Sequence, residues 1–272
     1  MSSSCNPIIL IVIILNRVDL SELEAKASLD FLLNDLDEAL IGVFLVLMRA
    51  KGETYEEVVG LAKEMLKHAL KVEGLVDAVD IVGTGGDGAN TVNISTGASF
   101  LAAACGAKVA KQGSRSSSSA CGSANVLEEM GVVIDLEPKT TFHHLFIKLI
   151  HFGMGVTRCV NEVGIGFMMA PIYHPAMKAV RLVRKKLKVK IVFNVLYHML
   201  NPTRVPYVVV GVYVKDLVLK MVKALQQFGM KRALIVDSFE FDCRVWKIES
   251  SSIFNVSAFL CFEIGVLQRW FD

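Results

Sequence analysis

The 272-residue sequence has little excess charge of either sign and no long apolar run. Its 29 Lys and Arg residues nearly balance its 27 Asp and Glu residues, which leaves a formal net charge of +2. A chain so close to neutrality lacks the overall positive field typical of proteins that bind nucleic acid. The longest obvious apolar run, residues 8–15, is far shorter than the roughly 20 residues that a membrane-spanning helix needs. We therefore expect neither a nucleic-acid partner nor a membrane span.

Cysteine is also scarce, and its spacing excludes two kinds of site. The six cysteines are scattered, and no two of them form a C-x-x-C pair. That spacing argues against a zinc ribbon and against a thioredoxin-type redox site. With 53% apolar and only 21% charged residues, the chain is also unlike an intrinsically disordered protein. The sequence predicts a globular protein with a sizeable core and free thiols.

The N-terminal part of the sequence has helical patterning only. Ser21 precedes Glu24 by three residues, and Thr54 precedes Glu57 by the same spacing. Each pair is typical of a capping box, in which the side chain of one residue accepts a hydrogen bond from the backbone of the other. Apolar residues then recur at helical spacing, and no alternating strand pattern interrupts them. We predict a small all-helical domain over residues 1–77.

From residue 78 onward, short apolar strands alternate with helical segments. This alternation predicts an α/β domain with a mostly parallel sheet over residues 78–238. Predicted strands lie at 79–82, 108–111, 132–134, 191–193, 208–211 and 233–236, with a helix at 215–228. Residues 138–154 do not fit the alternation. Residues 239–272 have weak periodicity, so we expect an atypical tail and a sheet that is incomplete at its C-terminal end.

Two segments rich in small and polar residues follow the first two predicted strands. The first, Gly83-Thr84-Gly85-Gly86-Asp87-Gly88, leads into Asn93-Ile94-Ser95-Thr96 at a helix start. Backbone amides in such a turn, together with the helix N-terminus, form a site for an anion. The hydroxyl groups of Ser95 and Thr96 could reach phosphate oxygens or a magnesium ion. A tight turn without a ligand is the alternative interpretation.

The second segment, Lys111 to Ser119, places a lysine, an arginine and several hydroxyl groups after the next strand. Ligands of α/β sheets bind at the carboxyl ends of the strands, and this composition suits a diphosphate. The alternative interpretation is a flexible Ser-rich linker. Because both segments follow successive strands, they predict one common site for a polyanion.

In combination, these segments resemble the anthranilate phosphoribosyltransferase family. The motifs that carry the resemblance are Gly83–Asp87, Asn93–Thr96, Lys111–Glu128 and Gly166–Lys178. The resemblance covers roughly residues 18–137 and 155–237. It implies a fold of the nucleoside phosphorylase and phosphoribosyltransferase type, in which residues 174–190 pack back on the helical domain. It also implies a homodimer formed through that domain.

The implied reaction belongs to tryptophan biosynthesis. The amine of anthranilate attacks C1 of 5-phosphoribosyl 1-diphosphate (PRPP), and diphosphate leaves together with Mg²⁺. No protein nucleophile is needed, so Lys111 and Ser95 would act by positioning and by stabilising charge. The forms of Gln112 and of residues 184–190 resemble the plant members, which implies the plastid stroma, although no transit peptide is recognisable.

The resemblance assigns substrate contacts to residues of these motifs. Ser95 would be a magnesium ligand, and Gly83, Ser114 and Arg184 would contact anthranilate. Arg184 could pair with the carboxylate of anthranilate; its alternative role is that of one charge in a solvated basic run. The residues that would hold PRPP are Gly83, Gly86, Asp87, Thr91, Asn93, Ile94, Ser95, Thr96, Lys111, Gln112, Gly113, Ser114, Arg115, Ser116, Ser117, Ser118, Ser119 and Ser123.

The sequence departs from the family at several positions. The family has an Asp-Glu pair of magnesium ligands shortly after the strand matching residues 233–236, where this chain has Asp237-Ser238-Phe239-Glu240. Tyr197-His198 replaces a Gly-Pro turn near the substrate, and we expect this bulky pair to obstruct anthranilate or to strain the turn. Ser114 and Asn125 replace Asn and Asp.

These departures leave two alternatives open. One is a non-catalytic chain that dimerises through its helical domain. The other is a pyrimidine nucleoside phosphorylase, which shares the fold and has similar phosphate loops. The segments Asn93–Thr96 and Tyr173–Met177, together with Arg184, favour the transferase over the phosphorylase.

Overall fold

The structure is a computed structural model that describes residues 7–84, 92–116, 121–135, 155–187, 189, 191–239, 242–249 and 252–257. In the last two ranges, and at residues 238–239, it describes the backbone only. The described helices and strands form a helical N-terminal part and a larger α/β part, as the sequence predicts.

Four helices build the N-terminal part, namely α1 (Pro7–Leu15), α2 (Glu22–Asp35), α3 (Glu38–Lys51) and α4 (Tyr55–Lys67). Both predicted capping boxes are confirmed. The hydroxyl of Ser21 accepts from the backbone of Glu24 at the start of α2, and Thr54 does the same for Glu57 at the start of α4. Local sequence therefore fixes where these two helices begin.

Helices α2 and α4 pack closely, because a glycine lies at their contact. A Cβ atom on Gly60 would be 2.3 Å from the carbonyl oxygen of Glu22. An ion-pair network also joins the two helices: Lys67 Nζ lies 3.1 Å from Asp30 Oδ1 and 2.9 Å from Glu64 Oε1. Ion pairs thus connect the two helices, while the glycine sets the distance between their backbones.

The α/β part contains a seven-stranded sheet with the order β3-β2-β1-β4-β5-β6-β7. The strands are β1 (Val79–Gly83), β2 (Val109–Gly113), β3 (Ile165–Met169), β4 (Tyr207–Val212), β5 (Arg232–Phe239), β6 (Asp242–Glu249) and β7 (Ser252–Ser257). The first five are parallel, whereas β6 and β7 pair antiparallel. The predicted, mostly parallel sheet is confirmed.

The other helices connect and cover these strands. They are α5 (Ile94–Ala104), α6 (Ser123–Glu129), α7 (Val156–Val163), α8 (Ala170–Tyr173), α9 (Met177–Leu187), α10 (Phe193–Leu196) and α11 (Lys215–Phe228), with a 3-10 turn at Tyr197–Met199. Helix α9 returns to the helical part, where Val183 Cγ1 would lie 3.6 Å from a Cβ on Gly42 of α3. No helix of the described residues is long and apolar enough to cross a membrane.

Two predictions of local structure are wrong. Residues 132–134 form no strand, since Val132 and Val133 are exposed and only Ile134 is buried. Residues 191–193 form no strand: the first two lie in the turn before α10, and Phe193 begins that helix. Their side chains are buried in the main core. A short apolar run can be buried as a strand or as a helix start, and its period does not distinguish the two. The described part of the tail adds no further α/β unit, and most of it forms the antiparallel strands β6 and β7 beside β5. Residues 138–154 lie outside the described residues.

Candidate active site

A cleft of about 530 Å³ opens at the carboxyl ends of β1 and β2 and is closed on its other side by the helical part. It gathers most of the described residues predicted to form the site. Those lining it are Gly83, Asn93, Ser95, Lys111, Gln112, Gly113, Ser114, Arg115, Ser116, Ser123 and Arg184. Six other predicted residues lie outside the described residues, namely Gly86, Asp87, Thr91, Ser117, Ser118 and Ser119. Segments far apart in sequence thus meet at the sheet edge where ligands of parallel α/β folds bind.

The first loop is tied to the neighbouring strand. The backbone N–H of Thr84 donates to the carbonyl oxygen of Gly211 at 2.8 Å. The Thr84 hydroxyl accepts from the backbone N–H of Tyr213 at 3.2 Å. These two bonds fix the point at which the chain leaves β1 and enters the cleft.

Asn93 caps helix α5 and organises its first turn. Its side-chain oxygen accepts from the hydroxyl of Ser95 at 3.1 Å, from the hydroxyl of Thr96 at 2.8 Å and from the backbone N–H of Thr96 at 3.1 Å. The side chain of Thr96 is buried and does not line the cleft, and Ile94 is 71% exposed away from it. Of this motif, the structure brings Asn93 and Ser95 to the cleft, whereas Thr96 serves the helix start.

Lys111 is the buried cation of the site. Its ammonium donates to the carbonyl oxygen of Ile81 at 2.6 Å and to the hydroxyl of Ser95 at 3.3 Å. Burial lowers the pKa of Lys111 to about 8, and the nearby carboxylate of Asp80 partly offsets this. Burial also raises the pKa of Asp80 to about 6, against the effects of Lys111 and of a hydrogen bond from Asn201. Near pH 7, both groups of the pair are therefore mainly charged.

The second loop is closed by Asn125 of α6. The Asn125 side-chain oxygen accepts from the backbone N–H of Ser116 at 2.9 Å and from that of Gly122 at 3.1 Å. A Cβ atom on Gly122 would lie 2.4 Å from the nitrogen of Ser116, so only glycine fits. Arg115 lines the cleft, but its guanidinium pairs with Glu128. The predicted cationic role of this loop therefore falls mainly on Lys111.

A second group of residues faces this loop across the cleft. Arg184 of α9 is half-buried, and burial lowers its pKa. No carboxylate of the described residues lies within ion-pair distance of its guanidinium. Its side chain therefore lines the cleft as an uncompensated cation, which suits a carboxylate ligand.

The Tyr197-His198 pair lies beside Arg184 without backbone strain. Among the described non-glycine residues, positive φ angles occur only at Arg17, Leu36 and Arg204, so the predicted strain at this turn is wrong. His198 is buried, its Nδ1 lies 2.9 Å from the carbonyl oxygen of Val195, and burial lowers its pKa. Burial raises the pKa of Tyr197 well above its ordinary value, which the nearby Ser114 and Arg184 partly offset.

Sequence analysis missed four charged residues of the cleft, namely Arg49, Glu53, Asp216 and Lys220. Glu53 lies in the turn between α3 and α4, where it is 6% exposed and one carboxylate oxygen has no hydrogen-bond partner in the described part of the chain. From sequence alone, a glutamate that follows a glycine in a turn is expected to be exposed to solvent, so nothing marked Glu53 as a cleft residue. Only the packing of the helical part on the α/β part buries it at the cleft.

Two family models match this architecture. A model described as the helical bundle domain of the glycosyl transferase family matches residues 9–69, and one described as its a/b domain matches residues 75–244. The fold and the cleft thus define a glycosyl transferase with these two domains.

Individual relatives narrow this class. The anthranilate phosphoribosyltransferase of Herpetosiphon aurantiacus is 40% identical over 249 residues, covering 91% of this chain and 69% of that protein. That of Chloroherpeton thalassium is 46% identical over 218 residues, covering 79% of this chain and 58% of that protein. The chain belongs to the anthranilate phosphoribosyltransferase family, and it spans between 58% and 69% of the length of these two relatives.

Solved structures agree with this assignment. The crystal structure of the anthranilate phosphoribosyltransferase from Thermus thermophilus has a TM-score of 0.79 at 30% identity, covering 93% of this chain and 74% of that one. The Saccharomyces cerevisiae protein in complex with PRPP and Mg has a TM-score of 0.78 at 26% identity, covering 93% and 73%. These likenesses favour neither a pyrimidine nucleoside phosphorylase nor a non-catalytic chain.

Proposed function

We propose that this chain transfers the 5-phosphoribosyl group of PRPP to the amine of anthranilate. One observation carries the proposal: the buried ammonium of Lys111, beside Ser95, lines the same cleft as the guanidinium of Arg184, which pairs with no carboxylate that the structure describes. One cation suits a diphosphate and the other a carboxylate. The two substrates would therefore be held in one cleft with their reacting atoms close together.

The chain would act by positioning both substrates and by stabilising charge. The amine nitrogen forms a bond to C1 of the ribose, the bond from C1 to the diphosphate oxygen breaks, and the amine loses a proton. Lys111 and the amides of both loops would stabilise the charge that grows on the departing diphosphate. Bringing two reactants into one cleft supplies much of the rate without a protein nucleophile.

The oxygen donors of the cleft fit a magnesium ion that arrives with the diphosphate. Mg²⁺ takes oxygen ligands, commonly one or two carboxylates together with substrate phosphates. The described part of the cleft offers the hydroxyl of Ser95 and the carboxylates of Glu53 and Asp216, and one oxygen of Glu53 has no partner. Asp237 is buried in β5 and does not line the cleft. Ser95 and the oxygens of the diphosphate would hold the ion, which would neutralise charge on the diphosphate; Glu53 and Asp216 are the carboxylates that the described cleft offers besides.

The proposed homodimer would form through the helical part. Helices α1 and α3 are in contact, and both carry exposed apolar side chains. These side chains are at least 43% exposed: Ile9, Val12, Leu15, Val43 and Val46. Exposed apolar side chains on two contacting helices are typical of a protein–protein interface. Light scattering on a sizing column should give twice the mass of the chain, and a monomer mass would contradict the dimer.

The role in tryptophan biosynthesis follows from the proposed reaction. The location in the plastid stroma remains a prediction from the plant-like segments. Import of a fluorescent fusion into isolated plastids would test it.

The reaction itself can be tested by mixing purified chain, PRPP, Mg²⁺ and anthranilate. The fluorescence of anthranilate should fall with time, and diphosphate should form in equal amount. Lys111→Gln should abolish most of this change, while Lys231→Gln, a change at an exposed position outside the cleft, should not. Phosphorolysis of thymidine without transfer to anthranilate would instead support the phosphorylase. No consumption of anthranilate at saturating PRPP would overturn the proposal.

A further inference from the structure

The Tyr197 hydroxyl group lies buried on the Arg184 side of the cleft, where anthranilate is proposed to bind. The oxygen of Tyr197 is buried, and no group of the described residues lies at hydrogen-bond geometry to it. The nearby hydroxyl of Ser114 donates instead to the carbonyl oxygen of Arg115 at 3.1 Å. Leaving such a group unsatisfied destabilises a folded protein, so an unpaired polar atom in a cleft indicates a ligand contact.

The position of this hydroxyl is well defined. Tyr197 opens the 3-10 turn that follows α10, and the Asn194 side chain caps the start of this region by accepting from the N–H of Ile191 at 3.1 Å. The ring of His198 meets the Tyr197 ring edge to face, with centroids 6.4 Å apart and planes at 85°. The hydrogen bond between His198 and Val195 holds that second ring in place. A buried Tyr197 ring that packs on the fixed His198 ring keeps its hydroxyl at one point of the cleft.

The surroundings of the hydroxyl identify the kind of ligand group. Ser114 and Arg184 line the same part of the cleft, and both are near enough to Tyr197 to affect its ionisation. A phenolic O–H is a donor, and a guanidinium offers donors only. The Ser114 hydroxyl already donates to the carbonyl oxygen of Arg115, whereas the Tyr197 hydroxyl and the Arg184 guanidinium have no acceptor among the described residues. Two such donors in one part of the cleft suit a ligand oxygen with negative charge.

We propose that the Tyr197 hydroxyl donates a hydrogen bond to the carboxylate of the aromatic acid that Arg184 pairs with, and so sets the specificity of the acceptor site. The inference rests on the proposed function. Tyr197 is then a specificity-determining residue of this chain. In this proposal it contacts anthranilate and does not obstruct it. Removing the hydroxyl should weaken anthranilate binding and leave PRPP binding unchanged.

Tyr197→Phe removes one oxygen atom and retains the ring, so it tests the hydroxyl alone. Calorimetric titration with anthranilate, in saturating Mg²⁺ and diphosphate so that no transfer can occur, should show affinity reduced roughly tenfold or more. The affinity for PRPP should stay the same, and the ligand-free variant should be at least as stable as the wild type, because an unsatisfied buried group has gone. Tyr207→Phe is the matched control, since Tyr207 starts β4 and does not line the cleft.

The outcomes separate this inference from the proposed function. If the wild type binds anthranilate and Tyr197→Phe binds it equally well or more tightly, the hydroxyl makes no contact and the inference is overturned alone. If the wild type binds PRPP but not anthranilate, the proposed function is overturned and this inference with it. Equal losses of PRPP and anthranilate binding would indicate a damaged cleft and would also contradict a specific contact.

Discussion

The ammonium nitrogen of Lys111 lies 3.3 Å from the hydroxyl oxygen of Ser95. This contact joins the end of β2 to the first turn of α5, the helix that follows β1. Two segments that each resemble an anion-binding loop are thus parts of a single site. The close approach of the two groups also means that the charge of Lys111 affects any ligand of Ser95.

Binding of PRPP should weaken above about pH 8. Burial lowers the pKa of Lys111 to about 8, so the free protein loses this positive charge as the pH rises through that value. Below that pH the ammonium is present and the affinity should be constant. Above it the affinity should fall up to tenfold per pH unit, until binding without the charge takes over. Calorimetric titration with PRPP between pH 7.5 and 9.5 measures this, and a flat profile would contradict a direct role for Lys111.

Arg184→Met should weaken the binding of anthranilate. The guanidinium lines the cleft and has no ion-pair partner among the described residues, so a carboxylate ligand would be its first. A hydrogen bond to a charged group contributes about 1.5–3 kcal/mol, which corresponds to a 10- to 100-fold loss of affinity. Arg181→Met is the control, because Arg181 is exposed on the same helix and outside the cleft. A loss of the same size in both variants would argue against the pairing.

Gly122→Ala should disrupt the second loop. The new Cβ would lie 2.4 Å from the nitrogen of Ser116 and 2.6 Å from the carbonyl oxygen of Ser114, and no side-chain rotation can relieve a backbone clash. We expect the affinity for PRPP to fall at least about tenfold, because Ser114 and Ser116 must move. Gly97→Ala in α5 meets nothing within 4 Å and should leave binding intact while stabilising that helix by up to about 1 kcal/mol. Unchanged PRPP affinity in Gly122→Ala would show that the loop does not contact it.

Gly60→Ala should destabilise the helical part, and its added methyl group does not lie in the cleft. The added methyl group would lie 2.3 Å from the carbonyl oxygen of Glu22, so α2 and α4 would have to separate. Overpacking of this kind destabilises a protein by about 1–3 kcal/mol. Gly42→Ala provides the comparison, because its nearest contact is an ordinary 3.6 Å to Val183. Urea unfolding should shift for Gly60→Ala only, and equal midpoints would show that the helices are less closely packed than described.

Local sequence signals predicted the helix starts and several of the strands, but not the elements that depend on packing. The capping boxes at Ser21 and Thr54 involve residues three positions apart, so neighbouring residues decide them. Residues 191–193 read as a strand because their short apolar run lacks a distinguishing period. In the structure, the core buries the same side chains from the turn that leads into α10. The tail was equally hard to predict, because its apolar alternation is weak. Its strand β6 pairs with the edge of β5, which the local sequence does not specify.

The sequence by itself determined the two-part architecture and the two polar loops, because caps, apolar periods and glycine-rich turns act over a few residues. Tertiary structure alone decided which groups meet. It buried Lys111 next to Asp80, paired Arg115 with Glu128, and placed Glu53 in the wall of the cleft. It also left the hydroxyl of Tyr197 near Arg184 and without a hydrogen-bond partner among the residues that the structure describes. Burial and charge pairing depend on residues far apart in the chain, and no local pattern specifies them.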